Sequence, residues 1–198
     1  NHLLTLVNDV LDYNKMESGK IVFEQAQFNL SDFLDEIMRS YSFRSKAKNL
    51  NFELIKDNRL PVEVIGDQIR LNQILSNLLS NALKFTNHGG IKVVVNELSR
   101  KAKQLRIEFR ISDTGIGIPK EKQSVIFEGY TQASADTTRQ YGGTGLGLAI
   151  CKKLIELQGG TLNLDSEPGK GSVFSFAITL GISDATGEKI PQEQPENY

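Results

Sequence analysis

The sequence predicts an α+β fold, in which amphipathic helices are interspersed with strands, and three observations support this prediction. The 198 residues are 39% hydrophobic and 24% charged, which is typical of a packed domain rather than a disordered chain. The segment 105–112 alternates apolar and polar residues, the pattern of a strand with one buried face. The segment 68–85 instead places its apolar residues at helical spacing.

The composition also excludes several classes of protein. With 23 basic and 24 acidic residues the net charge is −1, which argues against a nucleic-acid-binding protein. The single cysteine rules out an internal disulfide, and no apolar run approaches the roughly 18 residues of a membrane-spanning helix. Because no signal peptide opens the chain either, we expect a cytoplasmic location, with any membrane anchor of a parent protein lying upstream.

The first predicted element is a helix over residues 1–18, ended by Gly19. Its apolar face is too wide for a single surface helix. The helix is therefore either an ordinary core helix or one piece of a helical bundle whose other helices lie upstream or in a second chain, and the pattern favours neither.

The remaining elements follow from the same two periodicities. Ser31 is predicted to cap the second helix and Asp67 the helix 68–85, and further helices are predicted at 120–127 and 146–158. The predicted strands are 51–56, 62–65, 91–97, 105–112, 161–165 and 172–180. Between them, 99–104 is predicted to be a polar hairpin connection, and 128–145 has no clear period. The acidic segment 183–198 is typical of a linker or a disordered tail.

The helix 68–85 is the most informative segment. Its apolar side contains Leu71, Ile74, Leu75, Leu78, Ala82 and Phe85, and a separate polar stripe contains Arg70, Gln73, Asn77, Asn81 and Lys84. Asparagine is a mediocre helix former, so two on one stripe favour a polar wall, in which amide oxygens bind Mg²⁺ and the ammonium group meets phosphate. The alternative is an ordinary solvated face.

Two glycine-containing segments carry further chemistry. In 113–119, DTGIGIP, a carboxylate at a strand end can accept a hydrogen bond from an exocyclic amine, and the glycines let the backbone pass beneath a flat ring. In 142–148, GGTGLGL, the start of a helix offers unpaired N–H groups and its positive dipole end to an anion. The alternatives are a plain turn and a flexible connector. With the polar stripe, the two segments predict a nucleotide site.

The order and spacing of these segments resemble the ATP-binding catalytic domain of sensor histidine kinases, in the superfamily that also contains gyrase, Hsp90 and MutL. Residues 77–86, NLLSNALKFT, resemble the N box of that family, and 113–119 resemble the G1 box. The F box, the G2 box and the closing glycine motif are matched by 127–130, 142–148 and 169–174. The resemblance covers about residues 22–181.

The resemblance implies a two-layer α+β sandwich of the Bergerat type, with a mixed, mostly antiparallel sheet and helices packed on one face. It also implies three segments: the end of a dimerisation and phosphoacceptor bundle helix at 1–20, the ATP-binding catalytic domain at 21–182, and a tail at 183–198. Stretches around residues 130–143 resemble hybrid-type kinases, in which a receiver domain often follows.

The same resemblance assigns roles to single residues. Asn81 would bind Mg²⁺ with Asn77 beside it, and Lys84 would meet the phosphates, so Asn77 and Lys84 are the candidate catalytic residues. Asp113 would accept a hydrogen bond from the adenine amine. The other implied ATP contacts are Gly115, Gly117, Arg139, Gly143, Thr144, Gly145, Leu146, Gly147 and Ser172. Residues 128–145 would form a lid that closes over ATP.

The sequence departs from the family at two points. Gln132 stands where many histidine kinases have an arginine, two residues after the aromatic of the F box. The acceptor-histidine motif is absent, and His2 is interpreted as a surface or bundle-rim histidine. We therefore expect transfer of the γ-phosphate to a histidine in an upstream dimerisation domain, and no self-phosphorylation by these residues alone. The implied partners are that domain, a second copy of the parent protein, and a response regulator or attached receiver domain.

Two other functions are compatible with parts of the sequence. One is an ATP hydrolase of the gyrase, Hsp90 or MutL kind, which typically has a glutamate at the position of Asn77 as general base. An amide cannot act as that base, so Asn77 favours transfer over hydrolysis. The other is a non-catalytic, nucleotide-gated interaction module, against which the intact Asn81, Asp113 and glycine boxes argue.

Overall fold

The computed structural model describes residues 11, 14–16, 18, 19, 21–128 and 145–182. Its helices are α1 (Leu30–Ala47), α2 (Gln68–Phe85), α3 (Lys120–Gln123) and α4 (Gly147–Leu157), with a 3₁₀ turn at Val125–Phe127. Its strands are β1 (Ala26–Asn29), β2 (Asn51–Lys56), β3 (Glu63–Gly66), β4 (Gly90–Lys101), β5 (Gln104–Asp113), β6 (Leu162–Glu167) and β7 (Gly171–Gly181). Apart from β1, every strand and helix in this set overlaps a predicted element.

The strands of the described ranges form one sheet in the order β1-β3-β7-β5-β4-β2, with β6 added on β7. Every pairing is antiparallel except the parallel pairing of β2 with β4. The predicted mixed, mostly antiparallel sheet is therefore confirmed. Strand β7 connects its parts, because it pairs with β5 along the whole of β5, with β6 at its beginning, and with β3 at Gly181.

The helices pack on one face of the sheet, and a hydrophobic core fills the space between the two layers. On the sheet side Phe109 of β5 and Phe176 of β7 stack with their ring centroids 5.0 Å apart. On the helix side α2 buries Leu71, Ile74, Leu75, Leu78, Leu79, Ala82 and Leu83. This is the predicted apolar face with one correction: Phe85, at the end of the helix, is only half-buried, whereas Leu79 and Leu83 belong to the core.

The starts of the two long helices test the predicted caps. Asp67 caps α2 as predicted, because its Oδ1 accepts a hydrogen bond from the N–H of Arg70 at 2.9 Å. The prediction for α1 was wrong: the cap is Asn29, whose side chain accepts from the N–H of Asp32, and not Ser31. Both residue types cap well. Asn29 also ends β1, a four-residue strand whose pattern is too short to be recognised in the sequence.

The hairpin of β4 and β5 is longer than predicted. Strand β4 continues to Lys101, so the connection predicted over 99–104 shrinks to Ala102 and Lys103. Residues 98–104 are all exposed, which removes the burial contrast that makes a strand visible in a sequence. Backbone pairing with β5, rather than burial, extends the strand there.

The N-terminal segment is described only in part. Residues 14–16 are helical, a turn follows at Ser18 and Gly19, and Gly19 has φ +66°. Met16 is buried in the core of the domain. Most of the predicted helix 1–18 and the whole of 183–198 lie outside the described residues, so the division into three segments stays a prediction. No helix within the described ranges is long and apolar enough to cross a membrane.

Candidate functional site

The polar stripe of α2 meets the beginning of α4. A Cβ built on Gly147, the first residue of α4, would lie 3.3 Å from Asn77 Oδ1 and 3.5 Å from Asn77 Cγ. One turn further along, Cys151 Sγ of α4 lies 3.7 Å from the carbonyl oxygen of Ile74, so the two helices are in direct contact. The fold therefore brings the side-chain amide of Asn77 against a helix start that lies 70 positions later in the chain.

The start of α4 has the properties of an anion site. Leu146 precedes the helix with an apolar side chain that is 1% exposed, and this side chain makes no capping hydrogen bond to the first turn. Gly145 has φ +72°, which turns the chain into the helix. The first N–H groups of an α-helix have no acceptor within the helix, and the dipole makes this end positive. This terminus of the eleven-residue helix suits a phosphate group.

The polar stripe itself has two parts. At its beginning Arg70 Nη1 donates to Gln73 Oε1 at 2.9 Å, so these two side chains interact with each other. Asn77, Asn81 and Lys84 follow at helical spacing, and each is half-buried. This partial burial differs from a fully solvated face. It leaves two amide groups and one ammonium group on one side of α2.

Lys84 lies at the last turn of α2. Its Nζ is 4.8 Å from the centroid of the Phe85 ring, a cation–π contact. Burial lowers the pKa of Lys84, because leaving water disfavours the charged form. A phosphate group near Nζ would oppose this shift by stabilising the ammonium ion.

Asp113 ends β5, and its carboxylate is held by the loop that follows. Its Oδ1 accepts a hydrogen bond from the N–H of Gly115 at 2.8 Å. Burial raises the pKa of Asp113, while hydrogen bonds from the backbone N–H groups of Gly115 and Ser172 act in the opposite direction. The buried Thr86 hydroxyl also acts to lower the pKa, although it makes no hydrogen bond of normal geometry. Such a shielded, oriented carboxylate is a good acceptor for an amino group.

The loop 114–119 and the start of β7 beside it are each packed too closely for a larger residue at one glycine. Gly117 has φ +67°, and a Cβ there would lie 2.0 Å from the carbonyl oxygen of Glu167. Gly171 has φ +100°, and its Cβ would lie 1.9 Å from the carbonyl oxygen of Asp113. The N–H of Ile116 donates to the carbonyl of Phe85 at 3.2 Å, which fixes the loop to the end of α2 as well.

Ser172 is 6% exposed and lies opposite Asp113 in the pairing of β5 with β7. Its Oγ is 2.9 Å from the Oγ of Ser166 on β6. The sequence predicted Ser172 but missed Ser166, Gln123 and the buried Thr86 hydroxyl as neighbours of the site. Small polar residues with no recognisable spacing gave no signal, and Ser166 lies one residue beyond the predicted strand 161–165, in the part of β6 that the prediction missed.

Several predicted groups fall outside the described residues. These are Arg139, Gly143, Thr144, Gln132, His2 and nearly all of the lid 128–145. Of the F box, Phe127 is described, and its ring contacts Phe174 of β7 edge to face at 6.4 Å. Among the described residues there is no group of three or more His, Cys, Asp or Glu that could hold a metal ion.

Comparison with known proteins shows which family the chain resembles. The model of the family described as histidine kinase-, DNA gyrase B-, and HSP90-like ATPase matches residues 66–194. The signal transduction histidine-protein kinase BarA of Escherichia coli K12 is 43% identical over 183 residues, which is 92% of this chain and 20% of BarA. The chain thus spans about a fifth or less of the length of the curated relatives that it matches.

Two solved structures extend the comparison. The crystal structure of full-length ShkA in complex with AMPPNP is 32% identical with a TM-score of 0.78, over 93% of this chain and 37% of ShkA. The histidine kinase ThkA, in complex with the response regulator protein TrrA, is 29% identical with a TM-score of 0.64. That match covers 90% of this chain and 47% of ThkA. Both matches cover at least nine-tenths of this chain.

Proposed function

The chain belongs to the histidine kinase-, DNA gyrase B- and HSP90-like ATPase family, and from this we propose that it binds Mg·ATP and transfers the γ-phosphate to a histidine of a partner domain. The observation that carries this proposal is the contact between Asn77 and Gly147. It joins a wall of amide oxygens to a helix start whose N–H groups can bind phosphate.

The residues at this contact fit a magnesium–nucleotide complex. Asparagine oxygens are hard, neutral ligands that suit Mg²⁺ together with phosphate oxygens. When bound, Mg²⁺ neutralises charge that develops on the phosphate groups during transfer. Asn81 and Asn77 would hold the cation, Lys84 would bind a phosphate oxygen, and 145–147 would donate backbone N–H groups. Asp113 would fix the adenine ring through its amino group.

Asn77 also favours transfer to a partner over hydrolysis by water. Activation of water needs a group that can accept a proton, and a side-chain amide cannot do so at neutral pH. The work of this site is therefore to position ATP and to neutralise charge, while the acceptor supplies the nucleophile. An imidazole nitrogen is already nucleophilic at neutral pH and needs no base from this domain.

The partners follow from this chemistry. We propose that the acceptor histidine belongs to a dimerisation domain whose last helix ends within residues 1–20, in a homodimeric parent protein. A response regulator or an attached receiver domain would then take the phosphoryl group. The complex of ThkA with TrrA supports the second partner by similarity.

The proposal is tested with γ-labelled ATP and three measurements on the same preparation. Calorimetry should show Mg²⁺-dependent binding of ATP, and phosphate release by the chain alone should be slow. Addition of a histidine-bearing dimerisation domain of a related kinase should produce acid-labile, alkali-stable label on that domain. The same domain with its histidine replaced by glutamine is the control. Fast phosphate release without an acceptor, or absence of ATP binding, would contradict the proposal.

A further inference from the structure

Three side chains form a row across the sheet at the edge of the site. Asp113 on β5 lies opposite Ser172 on β7, and Ser172 lies opposite Ser166 on β6. Residues that face each other across a sheet project from the same side of it. Two positions further along the strands, Ile111 and Phe174 are buried in the core, so the row lies on the side that the helices cover.

Only one placement of the hydroxyl hydrogens of Ser166 and Ser172 satisfies all the hydrogen bonds of Ser166. Its Oγ accepts from the N–H of Ile118 at 2.9 Å, and it lies 2.9 Å from both the carbonyl oxygen of Gly171 and the hydroxyl of Ser172. A carbonyl can only accept, and Ser166 has one hydroxyl proton, so this proton goes to Gly171. The remaining contact is then made only if Ser172 donates to Ser166.

This arrangement orients Ser172. The hydroxyl hydrogen of Ser172 points towards β6. Its oxygen can therefore act only as a hydrogen-bond acceptor on the side of β5, where the carboxylate of Asp113 lies. The side chains of Asp113 and Ser172 then offer only hydrogen-bond acceptors to that space. A ligand or a water molecule that satisfies both must donate hydrogens, and an amino group carries two.

A second set of contacts fixes the loop on which this arrangement depends. Gln123 Nε2 donates to the carbonyls of Ile118 and Ser166, both at 2.9 Å, and the N–H of Gly169 donates to the carbonyl of Ile116 at 2.8 Å. Ile118 is thus bound at its N–H by Ser166 and at its carbonyl by Gln123. The N–H of Ile118, which donates to Ser166, therefore cannot move away without breaking its own hydrogen bond and the one from Gln123.

We propose that Ser166 is a positioning residue for the base: it fixes Ser172 as an acceptor, so that the site prefers a purine with a 6-amino group over one with a 6-oxo group. The inference rests on the proposed function, because it takes the Asp113 side of the site to be where the base binds. ITP is the matching probe, since it differs from ATP in having a 6-oxo group and a protonated N1.

The experiment measures the dissociation constants of ATP and ITP with Mg²⁺ by calorimetry. In Ser166→Ala, the hydroxyl of Ser172 is free to turn and donate to a 6-oxo group. We expect the preference for ATP over ITP to fall by about threefold to tenfold, the range of one hydrogen bond. Ser166→Thr, which keeps the hydroxyl, should restore the preference. As a control, Ser175→Ala removes a hydroxyl from the face of β7 opposite to that of Ser172, and it should leave the preference for ATP unchanged.

A double-mutant cycle separates positioning from a merely structural effect. If Ser166 acts through Ser172, then Ser166→Ala should not change the preference further in a Ser172→Ala background. A fall in affinity by the same factor for both nucleotides in Ser166→Ala, or additive effects in the cycle, would overturn the inference. If Ser166→Ala does not fold, the isosteric pair Ser166→Thr and Ser166→Val gives the same comparison. Failure of the unmodified chain to bind ATP would instead reject the proposed function.

Discussion

The two sides of the candidate site are built differently. On the base side, made by Asp113, the loop 114–119 and the segment 166–172, most polar groups already have protein partners, such as the pair of Gln123 contacts at 2.9 Å. On the phosphate side, made by Asn77, Asn81, Lys84 and the start of α4, the helix start lacks a side-chain cap and the amides are half-buried. Among the described residues, the base side is held by contacts within the protein, whereas the phosphate side presents half-buried polar groups. We propose that the base side selects the ligand and that the phosphate side binds its charged groups.

The largest effect is expected from a variant that disturbs the close packing of the base side. Gly117→Ala would place a Cβ 2.0 Å from the carbonyl of Glu167 in a backbone with φ +67°, so the loop has to move. We expect a loss of about 3 kcal/mol or more in the free energy of unfolding, and loss of ATP binding. Denaturant unfolding and calorimetry measure the two effects.

The matched control is Gly169→Ala. Gly169 also has a positive φ, +78°, but no atom lies within 4 Å of its Cβ position. Gly169→Ala should lower the free energy of unfolding by only about 1 kcal/mol, which is the strain of the backbone alone. Equal losses in the two variants would show that backbone strain, and not close packing against Glu167, defines the base side.

The next test concerns the phosphate side. Asn81→Ala removes an amide oxygen that we propose as a ligand of Mg²⁺, and we expect affinity for Mg·ATP to fall by about tenfold or more. Stability should hardly change, because a half-buried amide on a helix face has little packing to lose. Asn72→Ala, on the exposed face of the same helix, is the control. Repeating the titration with excess chelator should remove the difference; if the difference persists, Asn81 does not act through the cation.

The smallest effect is expected from the charge of Asp113. Since burial raises its pKa, the ionised carboxylate costs stability once the pH rises through that pKa, and below the pKa of the unfolded chain the cost disappears. Asp113→Asn should therefore be more stable than the unmodified chain at neutral pH, by less than about 1 kcal/mol after solvent screening. The advantage should vanish in acid, while ATP binding is weakened throughout.

Thermal melts at about pH 3, below the pKa of an unfolded aspartate, and at pH 7 measure this difference, with Asp165→Asn as the control. Asp165 lies on the neighbouring strand β6 and is exposed, so its replacement should move neither the melting temperature nor ATP affinity. If Asp113→Asn is instead less stable at neutral pH, then the ionised carboxylate stabilises the folded state. The expectation that its burial costs stability would then be wrong.

The sequence was sufficient where residues repeat at a clear period. The core of α2 and its cap at Asp67 followed from spacing, because burial and capping act on consecutive turns of one helix. Strand β1, the extension of β4 and the true cap Asn29 did not, because pairing with distant strands determines them. Tertiary pairing leaves no local pattern in a four-residue or fully exposed segment.

The site divides in the same way. Asn77, Asn81 and Lys84 lie on one helix, so their common face was visible in the sequence, and Asp113 stood at the end of an alternating strand. Ser166 of β6 and Gln123 of α3 meet only in the folded protein, and Thr86, which follows α2, is distant in the sequence from Asp113, whose pKa it helps to lower. No spacing connects serine at 166 with glutamine at 123, and their hydrogen bonds to Ile118 had to be seen in the structure.

The position of β7 has a consequence for how the protein is made. This strand is the last described element of the chain, yet it lies inside the sheet, between β3 and β5, and also carries β6. Within the described residues, a ribosome therefore releases six strands and four helices before the strand that joins them has left the exit tunnel. Until then β3 and β5 have open edges, which are templates for wrong pairing. The row from Asp113 to Ser166 is completed by the same strand, so the base side of the site and the sheet are finished together, when β7 pairs with its neighbours.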